Sequence, residues 1–252
     1  MNGRFQHDGF DLAFMDEGEG EPVLLIHGFA SSAKVNWIST GWTSFLQSSG
    51  FRVIAFDNRG HGQTSKSYSE ADYAPGMMAG DGAALLRHLR ISRTHVIGYS
   101  MGARIAAFLA FEWPELVQTV TFGGLGDGLL HGVGDWDPIA AALLSDAPET
   151  FTDARGAAFR KFADQTQSDR RALAACIARS RELVTVNQLA RIAAPALVAV
   201  GTLDDIGGSA QGLASAMNSA QAFAIEGRDH MLAVGDRSFK KATLDFLRRH
   251  PI

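Results

Sequence analysis

The chain has a single cysteine, Cys176, among 252 residues. No intramolecular disulfide is available to it, and no thiolate cluster can hold a metal. A lone cysteine of this kind reads as a small buried hydrophobe. Long apolar runs are missing too. None reaches the ~18 residues that a membrane-spanning helix needs. Met1-Asn2-Gly3-Arg4-Phe5-Gln6 lacks the apolar stretch of a secretory signal. A cytoplasmic, soluble protein with no membrane partner is therefore expected. Charge of one sign is not concentrated: 23 Lys and Arg stand against 27 Asp and Glu, a net charge of −4. Without a basic stripe, no nucleic-acid partner is expected. The histidines are scattered, and none shows the His-x-x-x-His spacing of a helical zinc site. The glycine-rich segments near Gly123 and Gly207 lack the Gly-Lys-Ser/Thr of a phosphate loop. Neither a metal site nor a cofactor site is expected.

Regular alternation of strand-like and helix-like segments is present. Arg4 to His7 and Phe10 to Asp16 flank Asp8-Gly9, a hairpin turn signal. Val23 to Ile26 is a continuous apolar run, as in a strand buried on both faces. Further strands are expected at Arg52 to Phe56, Thr94 to Gly98, Val117 to Phe122, Ala196 to Gly201 and Ala222 to Ile225. Helical spacing marks Trp42 to Ser48, Met78 to Leu89, Gly102 to Glu112, Ala210 to Met217 and Arg237 to Arg249. The alternation predicts an α/β fold around a mostly parallel sheet with right-handed crossovers. Asp135 to about Leu189 carries short Ala- and Arg-rich helices and no convincing strand. We expect a core of residues 1–124 and 190–252, with 125–189 as a helical lid over the C-terminal strand edge, where sites of open α/β sheets lie.

Gly98-Tyr99-Ser100-Met101-Gly102 falls between a strand and a helix. With 27 glycines in the chain, such a short pattern arises readily by chance, and its context is what gives it weight. A serine there stands on a strained strand-to-helix turn, and glycines on both sides relieve collisions. The helix N-terminus offers free N–H groups to a developing oxyanion. Serine catalysis needs a base, a group to orient the base, and oxyanion donors. On such a turn the partners follow in the order acid, then histidine. His230 follows a strand in the loop Gly227-Arg228-Asp229-His230 and is the preferred base over His131 and His250. Asp204 closes a Gly201-x-x-Asp204 pattern after a strand and is the preferred acid; Asp205 and Asp127 remain alternatives. The backbone N–H groups of Phe29 and Met101 are the candidate oxyanion donors. His27 and His61 read as loop-shaping residues.

His27-Gly28, Asp57-Asn58-Arg59-Gly60-His61-Gly62, Gly98 to Gly102, Gly201-x-x-Asp204 and His230 occur in one order across nearly the whole chain outside the insert. In this the chain resembles the α/β-hydrolase-fold serine hydrolases, in particular the small esterases, lactonases and carbon–carbon hydrolases. The resemblance implies an eight-stranded, mainly parallel sheet, a helical lid and no required cofactor. Asp229 stands where the family often has glycine before the histidine. Phe29-Ala30-Ser31-Ser32 lacks the Gly-Pro-Gly stretch frequent in ring-cleavage carbon–carbon hydrolases. Ser100 argues against the dehalogenases and epoxide hydrolases of this fold, which use aspartate.

The resulting expectation is hydrolysis of small or medium carboxylic esters through an acyl-enzyme, with lactone or carbon–carbon cleavage as the alternative. A non-catalytic receptor on the same scaffold is the competing class. Within the lid, Trp136, Phe151, Phe159 and Phe162 are expected to form lid core in preference to contacting substrate.

Overall fold

A computed structural model describes residues 1–147 and 152–252. Phe151 lies outside the described residues. The chain opens with a hairpin, β1 (Gly3–His7) and β2 (Phe10–Glu17). Asp8 and Gly9 take φ of 49° and 78°, the left-handed pair of a tight hairpin turn. β3 (Glu21–Ile26), a π-helical turn at Lys34–Ile38, α1 (Trp42–Ser48), β4 (Phe51–Phe56) and α2 (Pro75–His88) follow. Then come β5 (Thr94–Tyr99), α3 (Met101–Glu112) and β6 (Val117–Gly123). All strands lie in one eight-stranded sheet of order β1-β2-β4-β3-β5-β6, continued by β7 (Ala196–Gly201) and β8 (Ala220–Ile225). β1 and β2 pair antiparallel; every pairing among β3 to β8 is parallel.

The apolar runs become central strands because both faces are covered. Leu24, Ile26, Ile54, Phe56 and Val96 point into one core with α2 and α3. Val23, Leu25, Val53, Ala55 and Ile97 point into the other, against Trp37, Trp42 and the last helix. The period of two that sorts them is the pleat itself. Burying each of the Val, Leu, Ile and Phe side chains stabilises by about 1.5–3 kcal/mol.

Between β6 and β7 the described residues form helices only: α4 (Gly128–His131), α5 (Asp137–Leu144), α6 (Ala154–Gln165), α7 (Arg170–Arg179) and α8 (Val186–Ala190). Asp153 and Asp169 cap α6 and α7 by accepting amide hydrogen bonds. This insert packs into the core: Leu129, Leu173, Cys176 and Leu189 are buried in the same cluster as Val96 and Met101. Phe159 packs on Phe29 with ring centroids 5.6 Å apart, and Tyr68 Oη donates to Asp169 at 3.0 Å. The chain ends with α9 (Ala210–Ser215), α10 (His230–Ala233) and α11 (Arg237–Arg248) around β7 and β8. β8 begins two residues before the apolar run that marks it in the sequence, because Ala220 and Gln221 extend the ladder to β7. Among the described residues no helix is long and apolar enough to cross a membrane.

Candidate active site

β5 runs straight into Ser100, whose φ of 55° and ψ of −115° are those of a strained residue at a sharp turn. Neighbouring glycines make the turn fit. A Cβ on Gly98 would run into the Gly102 carbonyl, and one on Gly102 into the Ile26 carbonyl. The Ser100 N–H donates to Gly123 O at 2.8 Å, and its carbonyl accepts from Ala103 and Arg104, opening α3. The strain is thus held by a strand on one side and a helix on the other.

The tip of β7 supplies Asp204. A Cβ on Gly201 would collide with the Arg228 carbonyl, so the glycine lets the loops after β7 and β8 touch. Across that contact the Leu203 N–H donates to Arg228 O at 3.0 Å. Asp204 Oδ1 accepts from the Ile206 and Gly207 amides, both at 2.8 Å. Its Oδ2 lies 2.8 Å from His230 Nδ1. Burial by itself raises the Asp204 carboxyl. The His230 hydrogen bond and charge, with the two amides, outweigh it and hold the group below its usual range.

His230 opens α10 and is 6% exposed. Its Nε2 lies 2.9 Å from Ser100 Oγ. With Asp204 accepting from Nδ1–H, Nε2 is left to accept the Ser100 hydroxyl proton, a tautomer assigned from the hydrogen-bond network. The His230 carbonyl accepts from Tyr99 Oη at 2.6 Å, and the two rings are 5.5 Å apart. Burial, with the Asp204 and Asp229 charges, raises the Tyr99 phenol well above its ordinary value, so it stays a donor. Tyr99 is a positioning residue that sequence reasoning missed: it fills a variable place in the Gly-x-Ser-x-Gly pattern.

The other candidates have other partners. Asp205 is exposed. Asp127 Oδ1 accepts from Ser209 N at 2.6 Å, tying the start of the insert to α9. Asp229 caps α10 through the Met231 and Leu232 amides. His131 is exposed on α4, and His250 bonds to the Phe246 carbonyl.

Phe29 and Met101 both border Ser100 in one cavity. Their backbone N–H groups donate to no other described residue, which leaves them free for a ligand oxygen. The loop carrying Phe29 is held from beneath. Gly28 N donates to Asn36 Oδ1 at 2.8 Å. His27 bonds Gly28 O through Nδ1 at 2.8 Å and accepts from Asn58 N through Nε2 at 3.0 Å. His61 bonds Arg59 O at 3.0 Å. Burial pushes His27 down to about 4, and burial with the His27 charge pushes His61 down to about 3, so both are neutral supports at pH 7.

Two cavities meet at Ser100. The larger, ≈ 390 Å³, lies under the insert and is lined by Trp136, Phe159 and Arg104 among others. The smaller, ≈ 160 Å³, is lined by His230, Val234 and Phe162. Phe29 and Phe159 border both. Trp136, Phe159 and Phe162 thus both pack against the core and face a cavity. The sequence expects them to form lid core in preference to contacting substrate; the structure places them at cavity walls as well. Among the described residues no group of three His, Cys, Asp or Glu could hold a metal ion.

Residues 21–175 match the model of the alpha/beta hydrolase fold family. A Mycobacterium tuberculosis protein named as a non-heme bromoperoxidase is 34% identical over 163 residues, which span 63% of this chain and 60% of that protein. A structure of a carboxylesterase from Nitrososphaera gargenis superposes with a TM-score of 0.77 at 21% identity, covering 98% of both chains. The enol-lactonase of Burkholderia xenovorans gives a TM-score of 0.76 at 21% identity, covering 98% of this chain and 100% of that one. At that identity the two structures speak for the fold.

Proposed function

The chain belongs to the alpha/beta hydrolase fold family, and from that premise we propose that it is a serine hydrolase of small to medium carboxylic esters. One observation carries the reading: the unbroken line from Ser100 Oγ through His230 to Asp204, at 2.9 and 2.8 Å. Ser100 attacks the ester carbonyl while His230 Nε2 takes its proton. Asp204 holds the imidazole in the accepting tautomer and stabilises the imidazolium that forms. The Phe29 and Met101 amides receive the oxyanion. His230 then returns the proton to the leaving alkoxide. Water, activated by the same imidazole, cleaves the acyl-enzyme and regenerates Ser100.

The two cavities favour an open ester, with one end in each, over a compact lactone. Lactone opening uses the same groups. The helical insert acts in this reading as a lid, and its cavities fall in or below the usual range of small-molecule pockets. The test is a panel of p-nitrophenyl esters and lactones, together with fluorophosphonate labelling. Turnover of esters and a single adduct on Ser100 support the proposal. A protein that binds the panel without turnover, and is not labelled, would be a receptor on a hydrolase scaffold.

A further inference from the structure

We infer that Arg104 anchors an anionic group of the substrate, a carboxylate, in the larger cavity one helical turn from Ser100. The inference rests on the ester-hydrolase reading above. Arg104 follows Ser100 by four residues, so it lies on the same face of α3, ~6 Å farther along the axis. It lines the cavity that opens on Ser100 and is only 5% exposed. A carboxylate held there places a scissile carbonyl a short spacer away, at Ser100.

The charge balance of the cavity singles this residue out. Three arginines line the larger cavity. Arg179 pairs with Glu182 at 3.1 Å, and Arg181 pairs with Asp137 at 3.1 Å. Arg104 has no acid within ion-pair distance among the described residues. Its guanidinium donates only to carbonyls: Nη1 to Leu129 at 3.3 Å and Glu182 at 2.9 Å, and Nη2 to Gly128 at 3.4 Å. These bonds strap the guanidinium to the insert and orient it, but they leave its charge uncompensated. Burial alone pushes it down to about 10, an unusual cost for a group that could be replaced by a neutral one.

The bonds that remain open match a carboxylate. Three carbonyls use both Nη1–H groups and one Nη2–H. Nε–H and the second Nη2–H are left, and a carboxylate can accept both in a bidentate pair. Nε has no hydrogen-bond partner among the described residues yet is not sealed off, and Arg104 lines the larger cavity. The Glu182 carboxylate, itself on the cavity wall, is occupied by Arg179.

Two pairs of p-nitrophenol-derived esters test this. One pair carries a carboxylate or its neutral methylamide on a short acyl chain; the other carries them on the leaving group. In the wild type, kcat/KM for one anionic ester should exceed that of its neutral partner by about tenfold or more, mainly through KM. Arg104→Gln should bring that ratio close to one, and Arg104→Lys should retain only part of it. Equal rates within both pairs in the wild type, or a ratio that survives in Arg104→Gln, would overturn the anchor. Calorimetry on Ser100→Ala, comparing glutarate with glutaramide, reads the same point without turnover. Glutarate should bind at least tenfold more tightly. Equal binding of the two overturns the anchor; absent turnover of every ester with tight glutarate binding overturns the hydrolase reading alone.

Discussion

The strand tips around Ser100 and the helical insert above them are built in different ways. At the tips each functional group is fixed from several sides. Ser100 is gripped by β6 and α3, Asp204 by two amides and His230, and His230 by Asp204, Ser100 and Tyr99. The insert is joined to the core by shared apolar burial, a tilted ring pair, an exposed Tyr68–Asp169 bond and the Arg104 strap. Its ion pairs Arg160–Asp164 and Arg179–Glu182 each join residues of the insert to one another and not to the core. Reaction chemistry demands geometry good to a fraction of an ångström. Substrate choice demands a surface that can vary without disturbing it. On the hydrolase reading, a division of labour between tips and insert would meet both.

The largest expected effects lie at the tips. Ser100→Ala should lower kcat by on the order of 10⁴-fold or more while the thermal midpoint stays near that of the wild type. Fluorophosphonate labelling should vanish with it. Retained turnover, or an adduct on another serine, would mean that the tips do not carry the chemistry. Asp204→Asn should cost ~10⁴ in kcat, because the amide supports the wrong imidazole tautomer. Asp205→Asn, on an exposed residue, should change kcat by less than about threefold. The reverse ranking in steady-state kinetics would misplace the acid by one residue.

Tyr99→Phe sharpens the same contrast at smaller scale. Its hydroxyl holds the His230 backbone, not the ring nitrogens. Losing it should lower kcat by about tenfold through a misplaced imidazole, with KM nearly unchanged. A change in KM alone would mark Tyr99 as a binding residue. On the insert side, Phe159→Ala removes the ring that borders both cavities. The preferred acyl length in a p-nitrophenyl ester series should move to longer chains, while the rate of Ser100 labelling stays within about threefold. An unchanged chain-length profile would show that Phe159 is packing only.

The two regions also differ in how far the sequence reveals them. The central strands were legible because both of their faces are buried, which leaves continuous apolar runs such as Val23 to Ile26. The turn at Ser100 was legible because Gly98 and Gly102 sit where a Cβ would strike backbone. Gly201 marks the approach of the loops after β7 and β8 in the same way, and so places Asp204 near His230. Local sterics of this kind write themselves into residue identity. Tyr99 and Arg104 were not legible, since their partners, the His230 carbonyl and the carbonyls at 128, 129 and 182, come from distant chain segments. The π-helical turn at Lys34–Ile38 has no period of its own to announce it. The aromatic residues of the insert were readable as apolar but not as cavity walls, because helical spacing names a buried face and does not say what that face covers.

The smallest expected effect is on acid stability, and it again separates the regions. His27 and His61, in the loops after β3 and β4, are buried neutral, depressed to about 4 and about 3 mainly by burial. His131, the histidine of the insert, is exposed. In the unfolded chain His27 and His61 take up a proton near pH 6.5; in the folded protein they do not until far lower. Below pH 6.5 the unfolded state therefore binds more protons, and stability falls as the pH falls toward the folded-state values. Each histidine should cost about 1 kcal/mol between pH 7 and 5.5. His95, also depressed chiefly by burial, adds a cost of the same sign. His61 is the better probe, because its Nε2 is sealed without a partner, whereas both His27 nitrogens are bonded. In His61→Gln the drop in thermal midpoint between pH 7 and 5.5 should shrink by about 2–4 °C, whatever the variant does to the midpoint at pH 7. An equally steep drop in His61→Gln would place the acid-labile groups elsewhere. If His131→Gln flattened the curve instead, the insert and not the strand tips would set the stability of the fold in acid.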